Sequence, residues 1–132
     1  MKERSGNIFI NNFSKGKPPR LPFDTLKKAV LGDKYELSVA FVGSAESKKL
    51  NSKYRSKRKP ANILSFPLSK TEGEIIICLP EAKKDAPKFG LKYEEFIPFL
   101  FIHGLLHLKG MRHSSKMEDK EAATFRKFGF CR

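Results

Sequence analysis

Cysteines, long hydrophobic runs and targeting signals are scarce or absent in this chain of 132 residues. The two cysteines, Cys78 and Cys131, are too few for a disulfide scaffold, and free thiols are typical of a reducing cytosol. The longest apolar run, residues 96–102, contains Pro98 and is far too short to cross a bilayer. The N-terminal residues show neither the apolar centre of a signal peptide nor an Arg- and Ser-rich transit pattern. These absences predict a soluble, cytoplasmic protein.

Acidic residues are outnumbered by basic ones, and the basic excess is uneven along the chain. There are 27 Lys and Arg residues against 14 Asp and Glu, which gives a formal net charge of +13. Residues 1–60 hold 15 basic and 5 acidic side chains, whereas residues 61–132 hold 12 and 9. A strongly basic balance favours a polyanionic partner, nucleic acid or an anionic membrane surface, over a charge that serves only solubility.

The spacing of apolar residues and the turn signals predict the element order β α β α β β α α α. The predicted strands are residues 8–10, 35–42, 63–66 and 74–79, and the predicted helices are residues 22–31, 44–54, 80–89, 93–109 and 115–128. A capping box from Ser115 to Glu118 is expected to open the last helix. Cys78 is expected to be a small core residue, and Cys131 to be exposed. The chain shows no repeat or linker, so this order predicts one α+β domain over residues 1–132, with helices packed on a small mixed sheet of about four strands.

All three histidines of the chain lie within residues 103–113. His103 and His107 are four residues apart on a predicted helix, so their side chains are neighbours on one face. Gly110 can adopt the left-handed conformation that ends a helix, and the turn can bring His113 back over the same ion. Three imidazoles with a fourth position open to water are typical of catalytic zinc, whereas a lone histidine is usually a surface or core residue. The sequence therefore predicts one divalent ion on this helix in the C-terminal half, zinc foremost, with Ni²⁺ or another divalent ion as alternatives.

The spacing H-x-x-x-H-x-x-G-x-x-H is also the ligand frame of the metzincin proteases. Those enzymes use a Glu directly after the first His as general base, and Gly104 occupies that position in this chain. The frame can hold a metal, but it lacks the group that protease chemistry requires. A zinc metalloprotease is therefore the less favoured alternative.

Residues 48–59 form a basic run that contains no acid. Lys and Arg side chains neutralise phosphates, and this electrostatic contribution dominates non-specific nucleic-acid binding. The other interpretation is a solvated helix face and loop, which is what most charged runs are. In a protein that also has an open metal site, the run favours a phosphodiester substrate.

Four segments of the sequence carry a resemblance to a known protein family. They are Leu-Asn-Ser-Lys-Tyr-Arg at residues 50–55, Lys-Pro-Ala-Asn-Ile-Leu-Ser-Phe-Pro at 59–67, Gly-Glu-Ile at 73–75 and the histidine segment at 103–113. In this order they resemble the YbeY family, which comprises bacterial metal-dependent endoribonucleases of ribosomal RNA maturation. The histidine motif and the Asn-x-Leu-Ser-Phe-Pro block are specific when they occur together.

The resemblance implies a single α+β domain, one Zn²⁺ per chain and cleavage of single-stranded RNA. It also implies maturation of the 3′ end of 16S rRNA and ribosome quality control, with ribosomal RNA and the small ribosomal subunit as partners and no membrane contact. His103, His107 and His113 match the family's metal ligands. Arg55 matches an active-site arginine, and Glu121 falls near an acidic position of the family.

The resulting hypothesis assigns catalysis to Arg55 and to a metal held by the three histidines. Arg55 would pair with the phosphate and stabilise charge in the transition state, while Lys53, Lys57 and Arg58 would hold the flanking strand by its phosphates. Arg112 stands where the family usually has Asp, which places a cation beside the third ligand. A non-catalytic RNA- or ribosome-binding factor, in which zinc only stabilises the fold, is the alternative from another functional class. The sequence leaves the oligomeric state open.

Overall fold

Five β-strands and five α-helices are formed by the part of the chain that the computed structural model describes, residues 2–5, 7–112 and 114–130. The strands are β1 (Lys2–Ser5), β2 (Ile8–Asn12), β3 (Glu36–Val42), β4 (Ile63–Pro67) and β5 (Glu72–Cys78). The helices are α1 (Phe23–Leu31), α2 (Ser44–Arg55), α3 (Leu79–Asp85), α4 (Tyr93–Leu108) and α5 (Ser115–Lys127), and a 3₁₀ helix (Ala86–Phe89) follows α3. None of these helices combines the length and the apolar character needed to cross a membrane.

The strands form one mixed sheet in the order β1-β2-β3-β5-β4. β2, β3 and β5 run parallel, while β1 and β4 are antiparallel edge strands. α1 connects β2 to β3, because parallel neighbours need a longer crossover than a hairpin provides. The predicted α+β class is confirmed, but the sheet has five strands rather than about four. The additional strand, β1, has the sequence Lys-Glu-Arg-Ser, which lacks the apolar alternation that identifies a strand in a sequence.

The sheet separates a large apolar core from a small one. On β5, Ile75 and Ile77 face the large core beneath α1 and α4, while Ile76 and Cys78 face the small core beside α2. This alternation follows from the two-residue period of a strand. Cys78 is 1% exposed, so the prediction that it is a small core residue is confirmed. The prediction for Cys131 falls outside the described residues.

α4 is the central helix of the large core. Ten of its 16 residues are buried, because its sequence is apolar on nearly every side and suits a helix surrounded by other elements. At its start the Glu95 side chain accepts a hydrogen bond of 2.8 Å from the backbone N–H of Lys92. Pro98 is buried within the helix, which therefore begins well before the proline.

The N-cap of α5 is Ser114 rather than the predicted Ser115. Ser114 has extended backbone angles, and its Oγ accepts a hydrogen bond of 3.2 Å from the backbone N–H of Met117. Ser115 is already the first helical residue, so Glu118 lies one position beyond the place that a capping box requires. The predicted capping box was wrong by one residue.

Gly110 ends α4 in the left-handed region, as predicted, with a φ of +101°. Its N–H donates to the carbonyl of His107 at 2.9 Å, and the N–H of Met111 donates to the carbonyl of Leu106 at 3.0 Å. This pair of bonds is the Schellman pattern, which satisfies carbonyl groups that a helix end otherwise leaves unpaired. The turn also starts the segment that leads from α4 to α5.

Replacing Gly110 by alanine is expected to lower the free energy of unfolding by about 1 kcal/mol, because an L side chain is strained at this φ. A Cβ at Gly110 would meet no atom within 4 Å, so the loss would report backbone strain rather than crowding. Urea denaturation measures it, and Gly110→Asn is the matched control, since Asn tolerates this conformation better. An alanine variant as stable as the wild type would show that Gly110 does not need the left-handed conformation.

Candidate functional site

His103 and His107 lie on adjacent turns of α4 and place their Nε2 atoms together. The two atoms are 3.1 Å apart, and the ring centroids are 4.6 Å apart. Two nitrogens bound at about 2.0–2.1 Å to one tetrahedral zinc ion would be about 3.4 Å apart. The pair therefore has nearly the spacing of two ligands of one ion, and both rings are partly exposed.

Glu121 of α5 fixes the orientation of the His103 ring by contacting Nδ1, the ring nitrogen that does not face His107. It is 6% exposed, and its Oε1 lies 2.9 Å from Nδ1 of His103. This contact favours a proton on Nδ1, so the Nε2 of the neutral ring keeps its lone pair. In metal sites a carboxylate commonly contacts the second nitrogen of a ligating imidazole and orients the ring. The packing of α5 on α4 thus determines which nitrogen of His103 is available to a cation.

The third predicted ligand, His113, lies outside the described residues, so its role stays a prediction. Within the described ranges, no three His, Cys, Asp or Glu side chains form a group that could hold a metal ion. Glu121 contacts Nδ1 of His103 and not the Nε2 pair, so it does not serve as the third ligand. The described part of the site could supply two nitrogen ligands to an ion.

Gly104, next to the first histidine, allows a close approach between α4 and the sheet. A Cβ at Gly104 would lie 3.0 Å from Cδ1 of Ile63, 3.0 Å from Cδ1 of Ile75 and 3.1 Å from Oγ of Ser65. The position at which a metzincin carries its catalytic Glu is thus packed against β4 and β5. The geometry gives the protease alternative no support.

The two histidines line a cleft of about 660 Å³ between α4 and the β4 side of the sheet. This volume lies in the range of about 300–1,000 Å³ that is typical of ligand sites. Among the described residues that line the cleft, Arg55 and Lys59 are basic and Asp85 is acidic. The other lining residues are Pro60, Ala61, Asn62, Ile63, Leu64, Ser65, Pro67 and Leu108. Two basic side chains beside a pair of imidazole nitrogens that could bind a metal ion suit a phosphodiester.

The loop between α2 and β4, residues 56–62, is held against α2 by buried polar side chains. Ser47 Oγ donates to the carbonyl of Ala61 at 2.6 Å and accepts its N–H at 2.9 Å. Asn51 Nδ2 donates to the carbonyl of Lys59 at 2.8 Å. Ser47 and Asn51 are each 1% exposed, so these bonds replace the water that the loop backbone would otherwise bind. They hold the backbone that carries Lys59 at the edge of the cleft.

The structure brings only one of the four predicted substrate-binding residues into the cleft. Arg55, the last residue of α2, lines it. Lys53, Lys57 and Arg58 are exposed and are absent from the lining, and Nζ of Lys53 lies 5.2 Å from the ring centroid of Tyr54. Contact between these three side chains and flanking phosphates stays a prediction.

Four polar residues that line the cleft were not among the site residues predicted from the sequence. They are Lys59, Asn62, Ser65 and Asp85. Three of them belong to the segment 59–67, but Asp85 has no local signal, because only the tertiary fold brings it to the cleft. Glu121 does have a signal, since it shares the buried face of α5 with Met117 and Thr124. A carboxylate at a buried helix position indicates a buried partner.

Comparison with known proteins assigns the chain to a family. The family model described as Endoribonuclease YbeY matches residues 21–128. The chain belongs to the endoribonuclease YbeY family. It is 36% identical to the Endoribonuclease YbeY of Staphylococcus carnosus, over 72% of this chain and 70% of that protein. It is 38% identical to that of Polynucleobacter asymbioticus, over 71% and 66%, and 39% identical to that of Persephonella marina, over 68% and 63%.

A solved structure shares the fold of this YbeY-family chain. The solution structure of TM1509 from Thermotoga maritima matches with a TM-score of 0.69 and 26% identity, over 92% of this chain and 88% of that chain. The chain spans about two thirds of the length of the three YbeY relatives named above, at 70%, 66% and 63%. Arg55, His103, His107 and Glu121 all lie within the matched residues 21–128. The resemblance recognised from four sequence segments is confirmed.

Proposed function

We propose that this chain is a metal-dependent endoribonuclease that cleaves single-stranded RNA. The observation that carries the proposal is the 3.1 Å separation of the Nε2 atoms of His103 and His107, in a cleft that also presents Arg55 and Lys59. The nitrogen pair suits a divalent cation, and the basic side chains suit the phosphates around a scissile bond. The name that the relatives carry, endoribonuclease, supports the same reaction class.

In this proposal His103, His107 and His113 hold one ion, with Zn²⁺ foremost and Ni²⁺ or another divalent ion as alternatives. Glu121 keeps the proton of His103 on Nδ1, so that Nε2 faces the ion. When bound, such an ion supplies water of lowered pKa and polarises a phosphoryl oxygen. Arg112, which is exposed and adjoins His113, is expected to weaken cation binding by charge repulsion.

Arg55 is proposed to bind the phosphate during cleavage through its planar guanidinium. Arg55→Ala is expected to lower kcat/KM about a hundredfold, because it removes a charged donor from the transition state. Arg55→Lys keeps the charge but loses the two-pronged geometry, so a loss of about tenfold is expected. Single-turnover cleavage of an end-labelled single-stranded RNA measures both.

The control for Arg55 is Lys53→Ala, since Lys53 lies on the same helix but does not line the cleft. Its expected effect is no more than about threefold, the loss of one phosphate contact at the periphery. Full activity of the Arg55→Lys enzyme would show that the two-pronged guanidinium does not stabilise the transition state.

Replacing Glu121 by glutamine is expected to weaken zinc binding by about 10- to 100-fold, because the carboxylate orients a ligand through its contact with Nδ1. Gln keeps a similar shape, and its amide oxygen can still accept the Nδ1–H bond. Competition with a chromophoric chelator measures the zinc affinity, and Glu118→Gln on the exposed side of α5 is the control. Equal affinities in the two variants would show that Glu121 only packs α5 against α4.

We further propose that the substrate is ribosomal RNA in the cytoplasm, with the 3′ end of 16S rRNA and ribosome quality control as the setting and the small ribosomal subunit as partner. The net charge of +13 supports a polyanionic partner. Cells that lack the protein are expected to accumulate 16S rRNA with extended 3′ ends, as mapped by 3′-end sequencing. Normal ends in such cells would contradict this role without affecting the proposed chemistry.

The direct test of the proposed function compares a single-stranded RNA with a hairpin of the same composition, with zinc and with a chelator. We expect cleavage of the single strand alone, its loss on chelation and its return with added zinc. Fully metal-loaded protein that binds RNA without cutting it, and that unfolds on chelation, would support a non-catalytic factor instead.

A further inference from the structure

Asp85 is an acid in a cleft whose other charged lining residues are basic among those described. Its side chain is 24% exposed, so it is partly withdrawn from solvent. A carboxylate repels phosphates, and repulsion is stronger where water is partly excluded. In an RNA site, Asp85 therefore suits a group that donates hydrogen bonds better than it suits a phosphate.

The orientation of the Asp85 carboxylate is fixed by two neighbours. Oδ2 accepts a hydrogen bond of 3.0 Å from Nδ2 of Asn62, and Oδ1 accepts one of 3.1 Å from Nζ of Lys88. A carboxylate has about four acceptor positions, so about one remains on each oxygen. Asn62 also lines the cleft, whereas Lys88 is 69% exposed and lies outside the lining. Since Asp85 lines the cleft, its carboxylate offers acceptor positions there in an orientation that these two bonds restrain.

We propose that Asp85 and Asn62 form a nucleobase subsite that selects guanine. Guanine offers two adjacent donors, N1–H and N2–H, on its Watson–Crick edge, and these match the two oxygens of a carboxylate. Cytosine and adenine offer a single amino group beside a ring acceptor, and the imide N–H of uracil lies between two carbonyls that a carboxylate repels. Ile63, which follows Asn62 in the chain and also lines the cleft, offers an apolar surface for the face of the base. This inference rests on the proposed function for its substrate, single-stranded RNA.

The experiment uses single-stranded RNAs that differ at one position, which holds guanine, inosine, adenine, cytosine or uracil. Inosine lacks only the 2-amino group of guanine. Loss of one hydrogen bond to a charged acceptor is expected to slow cleavage next to inosine about tenfold or more relative to guanine. Equal cleavage next to guanine and inosine by the wild-type protein contradicts the subsite, and this comparison needs no variant.

The variant Asp85→Asn provides a second test of the subsite. Asn has the same shape as Asp and can still accept the hydrogen bond from Asn62. It replaces one acceptor by a donor, so the guanine-to-inosine ratio is expected to fall to about 1. Lys84→Ala is the control, since Lys84 is exposed next to Asp85 and does not line the cleft. A ratio unchanged in Asp85→Asn contradicts the subsite.

Fluorescence anisotropy with the same RNAs separates this inference from the proposed function. Cleavage without any base preference would support the endoribonuclease activity and contradict the guanine subsite. If the protein does not cleave RNA but binds the guanine RNA more tightly than the others, and Asp85→Asn abolishes that difference, the guanine subsite is supported and the endoribonuclease activity is contradicted.

Discussion

Replacing His107 by alanine is expected to lower the rate of RNA cleavage at least about a thousandfold, because metal assistance contributes several kcal/mol to such reactions. His107 shares the Nε2 contact of 3.1 Å with His103, so its loss removes half of the described nitrogen pair. The rate is measured under single-turnover conditions on a single-stranded RNA. Undiminished cleavage together with unchanged metal content would contradict the proposed site.

Lys109→Ala is the control for this variant. Lys109 is exposed just beyond the end of α4 and does not line the cleft, so its removal is expected to leave the rate within about threefold of the wild type. Thermal unfolding of both variants shows whether lost cleavage follows from lost structure. A His107→Ala protein that keeps its folded state but not its cleavage would place His107 in the chemistry.

Gly104→Glu is expected to lower the free energy of unfolding by about 4 kcal/mol or more, because it forces a carboxylate into the contact between α4 and the sheet. The first added atom would already lie 3.0 Å from Cδ1 of Ile63 and of Ile75. This substitution would restore the sequence pattern of a metzincin, yet we expect misfolding rather than protease activity. Urea denaturation and a peptide-library digest measure the two outcomes.

Gly104→Ala is the matched control, since it adds a methyl group without charge. The side-chain ends that it meets, Cδ1 of Ile63 and of Ile75, can rotate, and alanine gains about 1 kcal/mol over glycine in a helix interior. Its net effect is therefore expected to be within about 2 kcal/mol of the wild type. A Gly104→Glu protein as stable as this control would show that α4 does not rest on the sheet as described.

Local features of the site could be predicted from the sequence, because they depend on one helix. The four-residue spacing of His103 and His107 requires only that residues 93–109 are helical, and Gly110 marks the end of that helix by its freedom at positive φ. The burial of Cys78 could also be predicted locally, because it follows from the apolar character of one strand.

Features that join distant segments could not be derived from spacing. The contact between Glu121 and His103 spans 18 positions and depends on how α5 packs on α4. Asp85 reaches Asn62 across 23 positions, because α3 follows the strand that pairs with β4. Arg55 was selected through the family resemblance, and charge alone would not have separated it from Lys53.

The measurement that tests the central claim most directly is zinc titration of the chelator-treated protein by calorimetry, with the wild type and His103→Ala side by side. We predict one tight site per chain in the wild type and its loss in the variant. A wild-type protein that takes up no zinc or other divalent ion, or a variant that binds it equally well, would contradict the account.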